Sequence, residues 1–227
     1  MNQLSLRLFL PMLLPTVLLM LLAGPLRLAA QQTYFEGSVF YEVEISGAQA
    51  EALKLNEPNN RMLMHVKDAD YIIQLSGGRY PKTFMFVADS NYEYSIDLTN
   101  RRAFRYSSHA DLNRVEEAPV KAVATGKEEV ILGQTCQEYR VRKEGAEFLY
   151  YVSDAYRVNT ALYPPKTQAK AGFLAPGLDG RIPLRTIRKE SGLIVTTTAR
   201  KVTPNAFDVE QFRIPADFEV KNRDYRY

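Results

Sequence analysis

Ser108-His109-Ala110-Asp111 is the one place where a nucleophile, a base and a carboxylate stand side by side in this chain. A Ser, His, Asp triad is defined by how the three groups meet in space, and no Gly-x-Ser-x-Gly elbow accompanies these. Ser108 or Asp111 as the N-cap of a helix over 108–117 accounts for the same letters, because a short side-chain oxygen accepts the free N–H groups of a first turn. The other histidine is His65, which strand alternation turns outward. Two histidines and Cys136 give three soft ligands at remote positions, too scattered for a structural metal centre.

Cys136 is the lone cysteine, so no intrachain disulfide forms. It lies in the strand-like run Cys136-Gln-Glu-Tyr-Arg-Val141 and is expected to be buried. A reactive thiol would need a base or cation beside it to lower its pKa. The carboxylates are equally unpromising. Glu116-Glu117 and Glu128-Glu129 read as solvated surface, while Asp89, Glu93 and Asp97 flank turns or alternate outward. Sugar hydrolysis needs two converging carboxylates, and no tryptophan is present to stack on a ring. No loop carries the alternating Asp and Asn of a calcium site. Gly177-Leu178-Asp179-Gly180 lacks the basic residue of a phosphate-cradling loop. The residues point to a non-enzymatic protein with no catalytic residue, metal or cofactor.

The elements that would position any site are strands. Over 35–45 the odd positions Phe35, Val39, Tyr41, Val43 and Ile45 are apolar, and most even positions are polar. Period two of this kind marks a strand with one wet face. Similar runs follow at 61–66, 70–75, 82–88, 92–97, 102–106, 127–132, 136–142, 147–153, 182–189 and 193–202. Turn formers such as Ser76-Gly77-Gly78, Asp89-Ser90-Asn91 and Ser191-Gly192 separate them. Short helical stretches are expected at 48–55, 108–117 and 205–211. From 155 to 180 the pattern dissolves into prolines and glycines, the composition of a long loop.

Residues 1–30 read as an export signal. One positive charge precedes an apolar run from Leu8 to Gly24, and small residues close it before Gln31. Seventeen residues interrupted by Pro11 and Pro15 make a poor membrane span, so removal is favoured over a retained anchor. That leaves one exported β-rich domain over 31–227, periplasmic or secreted, with no stable membrane span. The signal holds Arg7 and Arg27 and no acid, so the remainder carries +1 where the full chain carries +3. Near neutrality gives no electrostatic case for nucleic acid as a partner.

The apolar positions are rich in large, soft side chains. Met62 and Met64 alternate on one strand, Phe84 and Phe86 on another, and Ile73 lies between them in sequence. Met62-Leu63-Met64 and Phe84-Met85-Phe86-Val87 are greasy on both faces, with few helices to cover a second one. Methionine fills irregular space, which suits a cavity for variable apolar ligands and suits an ordinary core equally.

Four motifs in order resemble a domain-of-unknown-function family of exported Bacteroidetes proteins. They are Phe35-Glu-Gly-Ser-Val-Phe-Tyr41, Ile131-Leu-Gly-Gln-Thr-Cys136-Gln-Glu-Tyr139, Gly180-Arg-Ile-Pro-Leu184 with Thr196-Thr-Thr198, and Phe212-Arg-Ile-Pro-Ala-Asp-Phe218. That family is similar to the periplasmic lipoprotein carrier and receptor superfamily (LolA/LolB-like). The resemblance implies a mainly β fold: a curved antiparallel sheet forming an incompletely closed half-barrel, with a few short helices and a hydrophobic concavity. It implies no catalytic residues.

The expected function is therefore binding of an apolar ligand, a lipid or lipoprotein acyl chain, in a half-barrel cavity. Met62, Met64, Ile73, Phe84 and Phe86 are the expected ligand-binding residues, with 164–180 as a lid. Two alternatives stand beside it. One is an interaction module with a filled core that docks another envelope protein through its tyrosines and the tail Tyr225-Arg226-Tyr227. The other is a hydrolase centred on His109.

Overall fold

The computed structural model describes residues 34–107, 121–143, 145–163, 177–204 and 209–223. The expected export signal, the Ser108–Asp111 stretch, most of the expected lid and the C-terminal tyrosines lie outside these residues.

Among the described residues twelve strands form one large, curved, open sheet. Six belong to a first meander: β1 (Gly37–Gly47), β2 (Arg61–Lys67), β3 (Asp70–Ser76), β4 (Lys82–Val87), β5 (Tyr92–Asp97) and β6 (Arg102–Ser107). Five form a second: β7 (Val123–Ile131), β8 (Gln134–Lys143), β9 (Ala146–Arg157), β10 (Arg181–Glu190) and β11 (Leu193–Pro204). Within each meander, neighbours in sequence pair antiparallel, most of them across short turns, with longer connections only between β1 and β2 and between β9 and β10. The β1–β11 pairing welds the two meanders together, matching Gly37 with Pro204 and Gly47 with Leu193. The twelfth strand, β12 (Glu219–Asn222), runs parallel to β6 at the far edge, so the sheet is mixed.

Turn chemistry sets the register of the second meander. Leu132 and Gly133 join β7 to β8 with φ of 51° and 74°, and Ser191 and Gly192 join β10 to β11 with 46° and 79°. Two consecutive left-handed residues match the twist of the strands they connect, and glycine at the second position removes half of the steric cost.

Among the described residues helix is scarce, and the stretch expected at 108–117 lies outside them. Ala50–Lys54 forms α1, and Thr160–Leu162 and Val209–Phe212 form 3-10 turns. The Asn159 side chain caps the first of these turns, its Oδ1 accepting the Ala161 N–H at 3.2 Å. The last turn explains the double-sided grease of β4, though not that of Met62-Leu63-Met64 on β2. Its Phe212 packs with Ile72 and Met85 on one face of β3 and β4, with Ile214, Val87, Tyr94 and Ile96 around them. That face is thus covered by chain from the C-terminal end rather than left for a partner.

The main core spans both meanders. It joins Val39, Tyr41, Met64, Val66, Tyr71 and Phe86 to Ile131, Cys136, Ile182, Leu184 and Ala199. Tyr41 is buried within it and donates to the Pro183 carbonyl at 3.1 Å, which satisfies both polar groups. Only a sheet that curls brings β2 and β4 into one cluster with β7, β8 and β10. This is the incompletely closed half-barrel.

Candidate functional site

Register places the five expected ligand-binding residues on a single face. Met64 of β2 stands opposite Ile73 of β3, and Ile73 opposite Phe84 of β4. Met62 and Phe86 lie two residues along their strands from members of that row, so strand alternation turns them the same way. Their environments differ sharply. Phe86 is fully buried and Met64 is 2% exposed, whereas Met62 and Ile73 are partly buried and Phe84 is 39% exposed.

The buried end of this face is closed by aromatic rings. Phe86 stacks on Tyr71 at 5.6 Å between centroids, and Tyr163 lies over both at 6.0 and 6.3 Å. Tyr163 comes from the connection after β9, and its hydroxyl donates to the Asp68 carbonyl at 3.3 Å. Burial, reinforced by the nearby Glu93 and Asp70 carboxylates, raises the pKa values of Tyr71 and Tyr163 respectively, so both remain neutral phenols. Glu93 was expected to point outward. It stands opposite Phe86 and therefore shares the inner face.

His65 alternates with Met64 and so takes the opposite face, partly buried, with its pKa lowered by burial. Cys136 is buried as expected, at 0% exposed. Burial pushes its thiol pKa up, with the Glu129 carboxylate adding to the effect and the Ile131 N–H and Arg185 opposing it. Such a thiol is a poor nucleophile. A thiol reagent is expected to label Cys136 in the folded chain at least about a thousand-fold more slowly than in denaturant, because reaction waits on opening. Comparable rates in both conditions would contradict the burial.

A polar row missing from the sequence reading crosses the second meander. Glu138, Tyr151, Arg185 and Thr198 stand opposite one another on β8, β9, β10 and β11. Glu138 is 2% exposed, accepting from Thr125 Oγ1 at 2.8 Å and Tyr151 Oη at 2.5 Å. Arg185 binds both oxygens of Glu129 at 2.6 Å and donates to Thr198 Oγ1 at 3.2 Å. Glu129 is thus a partner of Arg185 while its side chain remains partly exposed. The signal for Glu138 was available, since it shares the alternation phase of buried Cys136.

Of the expected lid, residues 177–180 are described. Leu178 is fully buried among Ala122, Tyr150 and Val152. Arg181 secures this end by donating to the Leu178 carbonyl at 2.8 Å while lying over the Tyr139 ring at 4.6 Å. Among the described residues, no helix is long and apolar enough to cross a membrane, and no three His, Cys, Asp or Glu side chains gather as a metal site.

The fold is similar to that of PNGF-II, with a TM-score of 0.50, 12% identity and 83% of this chain covered. The match takes in 32% of the PNGF-II chain, so this chain spans about a third of that protein's length. An uncharacterized conserved protein from Thermus thermophilus aligns at a TM-score of 0.48 and 11% identity, over 82% of this chain and 90% of that one. A LolA superfamily protein from Nitrosomonas europaea aligns at 0.37 and 8%, over 79% and 90%. At these identities the likeness to PNGF-II is one of fold. No family model and no curated protein matches the chain.

Proposed function

We propose that this chain is an exported, non-enzymatic protein, periplasmic or secreted, that binds a lipid or acyl chain against the inner face of its half-barrel. Met62, Met64, Ile73, Phe84 and Phe86 form the floor of that site. The supporting observation is the gradient along one cross-strand row, from Met64 at 2% exposed through partly buried Ile73 to Phe84 at 39%. A large aromatic side chain left open beside a closed core is surface that a hydrocarbon guest would cover, at about 0.8 kcal/mol per buried CH₂. Export rests on the charged, apolar and small-residue order of residues 1–30.

One observation favours the filled-core alternative. Tyr163 seated on Tyr71 and Phe86 occupies part of the inner face with the chain's own side chain. Titration with a fluorescent fatty acid separates the two readings. The account expects saturable binding that Phe84→Asp weakens at least about ten-fold while the variant stays folded. Absence of binding to the native chain, or binding indifferent to that substitution, favours the self-filled sheet.

A further inference from the structure

A second opening lies at the other end of the strand order, on the edge strand β7. The β7–β8 register breaks between Ala124 and Glu128, which stand opposite Tyr139 and Gln137. Four positions on β7 are thus spanned by two on β8, and the extra residues bow outward. Gly126 turns the bulge with φ of 81°, and a side-chain carbon built on it would meet nothing within 4 Å. Bulges of this kind re-aim side chains at sheet edges. Here the result is a cleft of about 460 Å³ lined by Lys121, Val123, Thr125, Lys127, Arg140 and Arg142 among others.

The charges around this cleft do not balance. Among the described residues four cations line it, and two carboxylates lie beside them. Glu147 serves both arginines through one oxygen, at 3.3 Å from Arg140 Nε and 3.1 Å from Arg142 Nε. The Arg140 nitrogen is buried and out of line for a hydrogen bond to it. The other oxygen of Glu147 is shared with Lys189 at 3.5 Å. Glu138 already accepts from Thr125 and Tyr151. Among the described residues no carboxylate lies within ion-pair distance of Lys121 or Lys127. Counted over the described residues, two positive charges are left over around the cleft.

We infer that this cleft binds a phosphate group carried on an organic body. Arginine and lysine heads together supply the donors that phosphate oxygens take. The surplus of two charges matches one phosphate, and the volume exceeds what a bare anion fills, within the range of small-molecule sites. Val123, Ala124 and the methylene stems of the four cations give the organic part an apolar wall. The β7 bulge and its exposed lysine disfavour an added strand as the occupant, since both features obstruct edge pairing. The inference does not depend on the apolar site of the first meander.

The test uses the processed chain and two probes, inorganic phosphate and vesicles of equal parts phosphatidic acid and phosphatidylcholine, with pure phosphatidylcholine vesicles for reference. Lys127→Gln with Arg142→Gln removes two exposed charges from the cleft. Arg61→Gln with Lys201→Gln removes two exposed charges elsewhere. Lipid-borne phosphate as the ligand predicts binding to the anionic vesicles alone, weakened about 25-fold by the cleft pair and far less by the control pair. A free phosphate ester as the source predicts saturable binding of inorganic phosphate with the same selective loss. No binding of either probe to the native chain, or equal losses in the two double variants, overturns the inference.

Discussion

Phe86→Ala is expected to cost the fold about 3–5 kcal/mol, the range for deleting a fully buried aromatic side chain. Phe86 has no exposed surface and contacts the rings of both Tyr71 and Tyr163, so the hole it leaves is walled by side chains that cannot all collapse. For a domain of this size, the melting temperature should fall on the order of 6–20 °C. Phe86→Leu, which keeps much of the volume, should cost markedly less. Denaturant unfolding of the three chains checks this. A loss below about 1 kcal/mol for the alanine variant would mean that the ring stack is not a closed core. Phe84→Ala supplies the contrast, because a ring already partly in water contributes little to stability. The two phenylalanines, two residues apart on one strand, thereby separate what holds the fold from what is available to a guest.

Glu138→Gln is expected to cost about 2–4 kcal/mol at neutral pH and to flatten the acid limb of the stability curve. Burial by itself disfavours the Glu138 carboxylate, but donation from Tyr151 and Thr125, with Lys127 and Arg140 nearby, outweighs it and holds the pKa below the ordinary 4.5. Burial and the same hydrogen bond push the Tyr151 phenol up to about 12. A depressed folded-state value means that the ionised form is bound more tightly in the fold. Its stabilisation is complete above the ordinary value and drains as pH falls through the folded one. Other carboxylates held low by their partners, Asp154 beside Arg157 and Glu147 beside Arg142, add to the acid dependence of both chains. The difference between the two curves isolates Glu138. Parallel curves from about pH 6 to pH 3 would contradict the assignment.

The strands of both meanders were legible because period-two alternation and turn residues are local signals. Eleven of the twelve strands fall where alternation places them, and the buried thiol of Cys136 follows from its strand. The twelfth, Glu219–Asn222, has no apolar alternation to announce it. It is held instead by backbone pairing with β6 and by side-chain bonds from Arg102 to Glu219 and Arg105 to Asn222, across 117 residues of sequence. The β1–β11 weld is invisible for the same reason, since period two identifies a strand without identifying its neighbour. The second greasy face of β4, Met85 and Val87, looked like surplus because nothing local says that Phe212 returns to cover it. In the candidate site, sequence could place Met62, Met64, Ile73, Phe84 and Phe86 on strands. It could not grade them, because exposure depends on where Tyr163 lands. The Glu129–Arg185 pair was missed because its partners are 56 residues apart and each alone reads as an ordinary surface charge.

Organic extraction of the purified processed chain, followed by mass spectrometry of whatever leaves with it, bears most directly on the half-barrel. Our reading requires a recurring hydrocarbon-bearing molecule in near-equimolar amount, depleted when Phe84 becomes aspartate. Repeated preparations that release nothing oily, from a chain that also ignores added fatty acid, would show an interior satisfied by its own side chains.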